Sequence, residues 1–231
     1  MSALTSSVTA NIDELNSGSV QFGATTLEFT DIESVATSSV NDTIVFSPSG
    51  SLSGTLDGAG GQRDHLDLSS LTAGVTIDLA TGVGSIASFA GIEDITGGSG
   101  DDDLTGNDSD NRLFGRGGAD TIDGGQGNNV LIGDSATVVT SDNAISSIRT
   151  SSEFQSADTI VAGDGNNLVL PGSGDDQVTL GNGENFVAGD QVLVTLSGAQ
   201  VVSIQSIQPA DGGDDQICLL YTSDAAAIYS V

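Results

Sequence analysis

GGSGDDDLT, GNDSDNRLF, GRGGADTID and GGQGNNVLI run without a break from Gly97 to Ile132. These nine-residue units share one grammar: glycine first, a glycine-rich turn, aspartate or asparagine sixth, an aliphatic residue eighth. Repetition at so short a period predicts a solenoid, because a unit this small cannot bury its own apolar face and is stabilised only by stacked neighbours. The eighth residues, Leu104, Leu113, Ile122 and Leu131, are expected to point inward as a thin aliphatic core.

Working outward, the grammar fails after Gly133-Asp134 and resumes at Ala157-Asp158-Thr-Ile160. AGDGNNLVL from Ala162, PGSGDDQVT from Pro171 and LGNGENFVA from Leu180 follow, adding Ile160, Val169, Val178 and Val187 to the inward row. Gly189-Asp190 opens a second interruption that ends at Asp214-Asp215-Gln-Ile217, and Asp120 maps to Asp176 and Asp134 to Asp190, both at an offset of 56. The interruptions carry β-branched alternation, as in VLVTLSGAQVVSIQSI, which predicts hairpins projecting from the solenoid. Upstream, Phe29-Thr-Asp-Ile32-Glu33 returns at an offset of sixty as Phe89-Ala-Gly-Ile92-Glu93, and Asp42-Thr-Ile44 as Asp102-Asp-Leu104, so this region reads as two copies of one unit. Phe29 and Phe89 are expected in the core. No window has sustained helical periodicity, so the chain reads as all-β.

The expected organisation is an irregular β-repeat region (1–96), a first nonapeptide block (97–134), an excursion (135–156), a second block (157–190), a second excursion (191–213), the start of a third block (214–217) and a tail (218–231). The tail holds the single cysteine, Cys218, and both tyrosines. It resembles the translation of a transposase-end adapter, so it is read as non-native and the natural chain is expected to continue past Ile217.

Composition narrows the partners. Acidic residues number 32 against four arginines and no lysine, a formal charge of -28, which argues for cations and against nucleic acid or anionic membranes. Aromatic content of 4% and the absence of tryptophan exclude a thick core. One cysteine excludes an internal disulfide framework. The N-terminus lacks the basic and apolar regions of a cleavable signal, and no apolar run is long enough to span a membrane.

The grammar resembles the hemolysin-type calcium-binding repeats of the RTX family, G-G-x-G-x-D-x-U-x, and Gly97 to Thr105 matches every fixed position. The resemblance implies a right-handed parallel β-roll, or β-solenoid, with hairpin-like excursions, binding Ca2+. The chemistry of the positions agrees with it. Glycines let the turn aim carbonyl oxygens at one point, and calcium takes six to eight hard oxygen ligands. In the family fold two units make one coil, so alternate sixth positions share an edge. Asp102, Asn111, Asp120, Asn129, Asp158, Asn167, Asp176, Asn185 and Asp215 alternate without exception, which makes one edge aspartate and the other asparagine. Stacked like charges repel unless a cation lies between them, whereas stacked amides can bond one another. Calcium is therefore expected between Asp102 and Asp120 and between Asp158 and Asp176.

The first rank of candidate calcium ligands is Gly97, Gly98, Gly100, Asp102, Gly115, Gly117, Gly118, Asp120, Asp158, Gly172, Gly174 and Asp176. The second rank is Asn111, Asn129, Asn167 and Asn185 on the other edge, with Asp134, Asp190 and Asp215 at the ends of the blocks. Asp101, Asp175 and Glu184, at the fifth position, are read as solvated. Asp64 marks an isolated earlier turn, and His65, the only histidine, is read as a surface residue.

No HExxH, GxSxG, P-loop or dinucleotide motif is present, so no catalytic constellation is expected in this chain. The expected function is calcium binding in a secreted or cell-surface, adhesin-like bacterial protein of the type I secretion class, folding on calcium after export. Cell-surface or matrix ligands would be reached through a further domain. The alternatives are the repeat region of a secreted hydrolase or polysaccharide-modifying enzyme, and a metal-independent spacer.

Overall fold

The computed structural model describes residues 6–141, 144–197, 200–206, 216–219 and 227–229. In chain order the first strands are β1 (Thr9–Glu14), β2 (Ser17–Phe22), β3 (Thr25–Phe29), β4 (Val35–Ala36), β5 (Thr43–Phe46) and β6 (Thr55–Asp57). β7 (His65–Asp67), β8 (Thr76–Asp78), β9 (Val83–Gly84), β10 (Ser88–Ala90) and β11 (Asp94–Thr96) lead up to the nonapeptides. The first block forms β12 (Asp103–Thr105), β13 (Arg112–Arg116), β14 (Thr121–Asp123) and β15 (Val130–Asp134), and the first excursion β16 (Ala136–Ser141) and β17 (Ala144–Thr150). The second block forms β18 (Thr159–Val161), β19 (Leu168–Leu170), β20 (Gln177–Leu180) and β21 (Phe186–Ala188). β22 (Val192–Ser197), β23 (Gln200–Ser206), β24 (Gln216–Leu219) and β25 (Ala227–Tyr229) complete the set.

No helix occurs among the described residues, and none is therefore long and apolar enough to cross a membrane. Successive nonapeptide strands go to opposite sheets. β12, β14, β18, β20 and β24 lie side by side in a ten-stranded sheet, β13, β15, β19, β21 and β25 in an eleven-stranded one. Pairing among these nonapeptide strands is parallel, Leu104 beside Ile122 and Leu113 beside Leu131, while β9 and the β1–β2–β3 meander upstream pair antiparallel. Each central residue of a strand points between the sheets, where Leu104, Leu113, Ile122, Leu131, Ile160, Val169 and Val187 are fully buried. Burying such a side chain contributes about 1.5 to 3 kcal/mol. The same core continues upstream through Ile95, Ile77, Leu66 and Ile44 to Ile12.

Ladder pairing passes over the excursion, since β14 pairs directly with β18 and β15 with β19. The upstream segments related by sixty residues fall on opposite sheets, Val35 with the ten-stranded and Ile95 with the eleven-stranded one. Phe89 is buried and Phe29 only partly so.

The excursions do not project into solvent. Their hairpins, β16 with β17 and β22 with β23, join through β17 and β22 into one four-stranded antiparallel sheet. Ile145, Ile148, Val192 and Val194 on its inner face pack against Ile132, Leu168, Leu170 and Ala188, which form part of the outer face of the eleven-stranded sheet. This is a second core outside the roll. It explains why the strands on that side read VLI, LVL and FVA, apolar on both faces, while those opposite read DLT, TID and TIV.

Candidate calcium edge

The turns before β12, β14, β18 and β20 of the ten-stranded sheet carry Asp102, Asp120, Asp158 and Asp176, all buried. Each aspartate is held by the layer before it. Oδ1 of Asp120 accepts from Asp102 N, Oδ1 of Asp158 from Asp120 N and Oδ1 of Asp176 from Asp158 N, all at 2.8 Å. Asp102, first in the row, accepts from Val75 N at 2.9 Å and from Gly98 N at 2.8 Å. Oδ2 of Asp120 and of Asp158 is buried and accepts no hydrogen bond from any described residue.

The orphaned oxygens face other oxygens. A Cβ on Gly115 would strike Asp120 Oδ2 and come within 2.8 Å of Gly133 O. One on Gly133 would strike both Asp158 Oδ2 and Pro171 O. Carboxylate and carbonyl oxygens of adjacent layers thus converge where only glycine leaves room. Gly118, with φ of 103°, lies so close to the Gly100 backbone that a side chain there would collide with it.

Burial raises the carboxylic acids, and neighbouring carboxylates raise some further. Asp120 is pushed up to about 8 by burial and by Asp158 and Asp102, against the hydrogen bond from Asp102 N. Asp134 is pushed up to about 8 by burial and by Asp158 and Asp176, against its bond from Ser173 N. Burial takes Asp158 to about 6, and raises Asp102 as well.

The asparagine edge has the same architecture and different chemistry. Oδ1 of Asn129, Asn167 and Asn185 accepts from the backbone N of Asn111, Asn129 and Asn167 at 2.8, 2.9 and 3.1 Å. The amide nitrogens then donate into the turns, Asn129 Nδ2 to Gln126 O at 3.1 Å and Asn185 Nδ2 to Gly181 O at 3.0 Å. Asn111 Nδ2 donates to Glu93 O at 2.9 Å. Amides mostly bond backbone rather than one another as expected; the exception is Asn167 Nδ2 to Asn185 Oδ1 at 2.9 Å. Each amide N–H therefore supplies the positive partner that turn carbonyls require, and the carboxylates opposite, once ionised, have none to offer.

The donor set on the aspartate edge fits calcium: only hard oxygens, some buried and unsatisfied, with glycine cradles between layers. No group of three or more His, Cys, Asp or Glu side chains suited to a metal exists among the described residues. Turn carbonyls would have to complete any cage. Residues 90–135 and 155–191 match the family model of the RTX calcium-binding nonapeptide repeat, in four copies. The chain carries RTX repeats. No curated protein matches it.

The RTX match covers both blocks and omits most of the first excursion. Of the residues at the ends of blocks, Asp134 is buried beside the Asp158 turn, whereas Asp190 opens the second excursion in a left-handed conformation, φ 56°, with its carbonyl accepting from Thr150 Oγ1 at 3.1 Å. Asp215 lies outside the described residues. At the fifth position Asp101 Oδ1 accepts from Ala119 N at 2.9 Å.

Two features escaped the sequence reading. The asparagine ladder continues upstream as acidic residues, with Asp42 N donating to Asp64 Oδ1 at 2.8 Å and Asp64 N to Glu93 Oε2 at 2.9 Å. Asp42 is further held by Ser38 N and Ser38 Oγ at 2.6 and 2.8 Å. The recurrence of Asp before Thr-Ile and His-Leu was the available signal. His65, expected on the surface, is half-buried with Nε2 2.8 Å from Thr96 Oγ1. It lines a cavity of about 350 Å³ beside β16, where Arg63 pairs with Asp94 at 2.7 Å.

Proposed function

We propose that this chain is a one-edged calcium-binding roll of a secreted or cell-surface protein, with calcium seated along the aspartate edge from Asp102 to Asp176 and excluded from the asparagine edge. The observation that carries this reading is the pair of buried, unpartnered oxygens on Asp120 and Asp158, set against amides whose nitrogens reach the turn carbonyls opposite. When bound, calcium supplies the positive charge that these oxygens lack. Gly97, Gly98, Gly100, Gly115, Gly117, Gly118, Gly172 and Gly174 bring turn carbonyls close enough to share it.

Calcium would act as a folding ligand. At a formal charge of -28 the metal-free chain repels itself, and extracellular modules bind calcium at about 0.1 to 1 mM, so order would be completed outside the cell. In this reading the chain is a binding and structural element, adhesin-like in the sense of presenting a partner domain, rather than an enzyme. Equilibrium dialysis against calcium, with far-UV circular dichroism in calcium and in chelator, tests it. Saturable binding with a gain of β-signal is expected; no binding at 10-fold the extracellular concentration would overturn it.

A further inference from the structure

The first excursion leaves the roll inside a turn of the aspartate edge, between Asp134 at the second position and Ser156 at the fourth. An interrupted turn should lose its site, because carbonyls that an intact glycine turn aims inward are carried away. At this break a buried carboxylate stands where those carbonyls would have been. Asp134 is 1% exposed, and its carboxylate is directed at the next layer, where Oδ2 accepts from Ser173 N at 2.7 Å. A Cβ on Gly172 would meet the Asp134 side chain, so glycine is required there to admit it. Asp134 N donates to Pro171 O at 3.1 Å, and that carbonyl converges with Asp158 Oδ2 at Gly133.

Several buried oxygens at this break accept or donate no hydrogen bond among the described residues: Asp158 Oδ2, Ser173 Oγ and Ser135 Oγ. Arg116, paired through Cα with Asp134 on the neighbouring strand, sends its guanidinium to Ser69 O at 2.8 Å instead of neutralising it. The other second positions on this edge are Gly98, Arg116 and Gly172, which bring no side-chain oxygen.

We propose that the calcium seat between the Asp158 and Asp176 layers is preserved at the root of the first excursion by a ligand of its own, the Asp134 carboxylate, which replaces the ligands lost from the broken turn and joins Asp158, the Pro171 carbonyl and the Ser173 hydroxyl. An all-oxygen set with two carboxylates selects calcium over zinc or copper. Because Asp134 ends β15 and Ser135 leads directly into β16, an ion here pins the excursion sheet to the roll. The site rests on the calcium reading of the aspartate edge and adds a ligand that the nonapeptide pattern does not contain.

The test uses the full chain, calcium alone as the probe, and the variants Asp134→Asn, Ser173→Ala and Asp102→Asn. Bound calcium is counted by equilibrium dialysis, and hydrogen exchange is followed in β16 and β17. Asp134→Asn should bind one calcium fewer and lose the calcium-induced protection of β16 and β17, while Asp102→Asn loses binding but keeps that protection. Ser173→Ala, which removes no charge, should weaken the same site several-fold and guards against misfolding of the aspartate variant. Wild-type stoichiometry and protection in both Asp134→Asn and Ser173→Ala would overturn this site and leave the roll reading standing. No calcium binding by the wild type would overturn both.

Discussion

The two edges of the roll share a backbone and differ by one atom at each sixth position, an oxygen on one side and an N–H2 on the other. On the asparagine edge that nitrogen reaches turn carbonyls at 3.0 to 3.1 Å, as in Asn185 and Asn129. On the aspartate edge its place is taken by Asp120 Oδ2 and Asp158 Oδ2, which meet carbonyl oxygens and no donor among the described residues. The same fold therefore carries its own counter-charge on one side and must recruit it on the other. The edges also differ behind the turns, because the asparagine-edge strands are covered by the excursion sheet and its second core.

Breaking the comparison from the self-sufficient side should have the largest effect. Converting Asn111, Asn129, Asn167 and Asn185 together to aspartate would leave buried oxygens unsatisfied in four layers, at about 1 to 3 kcal/mol each. That sum rivals the whole stability of a domain, about 5 to 15 kcal/mol. In chelator the variant should lose its β-signal by circular dichroism, and calcium should restore it by creating a second metal edge.

The covered and open outer faces offer the next contrast. Ile132→Ala, in the second core, should destabilise by about 2 to 5 kcal/mol in urea unfolding with calcium present. Val161→Ala, which is only half-buried on the opposite outer face, should cost about 0.5 kcal/mol. Equal costs would mean that the excursion sheet does not seal the roll.

Sharpening the comparison from the aspartate side, Asp120→Asn should stabilise the metal-free protein above about pH 8, where Asp120 is ionised, by about 1 to 3 kcal/mol, since the amide can donate where the carboxylate cannot. The same variant should bind less calcium. Thermal unfolding in chelator, paired with dialysis, reads both.

A further contrast is in pH. In the metal-free protein Asp120 and Asp134 titrate near 8 and Asp158 near 6, above the usual carboxylate value near 3.8. Groups raised on folding contribute stability that is fully present below 3.8 and is lost as pH rises through about 6 and 8. Melting in chelator should therefore occur at lower temperature at pH 8.5 than at pH 5, by a few degrees for each kcal/mol of stability lost. With saturating calcium the order should reverse, because protons compete with the ion.

Much of this was legible in the sequence. The eighth-position aliphatics declared the core, and the strict alternation of Asp and Asn at the sixth position declared two unlike edges, both from a nine-residue period that leaves little freedom. The second core was also written, in the change from TID and TIV to VLI and LVL, but a hydrophobic residue beside an inward one shows only that something covers it. That the cover is two excursions joined to each other depends on pairing between β17 and β22, as of Ser147 with Thr195, which no local pattern encodes. The upstream Asp42, Asp64 and Glu93 ladder was hidden by irregular spacing, since the turns between them vary in length while the strands keep register.

Calcium on one edge alone is the central claim, and a crystal grown in calcium, with anomalous scattering used to place the ions, tests it most directly. The account predicts ions between the layers of Asp102, Asp120, Asp158 and Asp176, and Asn111, Asn129, Asn167 and Asn185 bonded to their turn carbonyls with no ion between them. Ions at equal occupancy along both edges would contradict it.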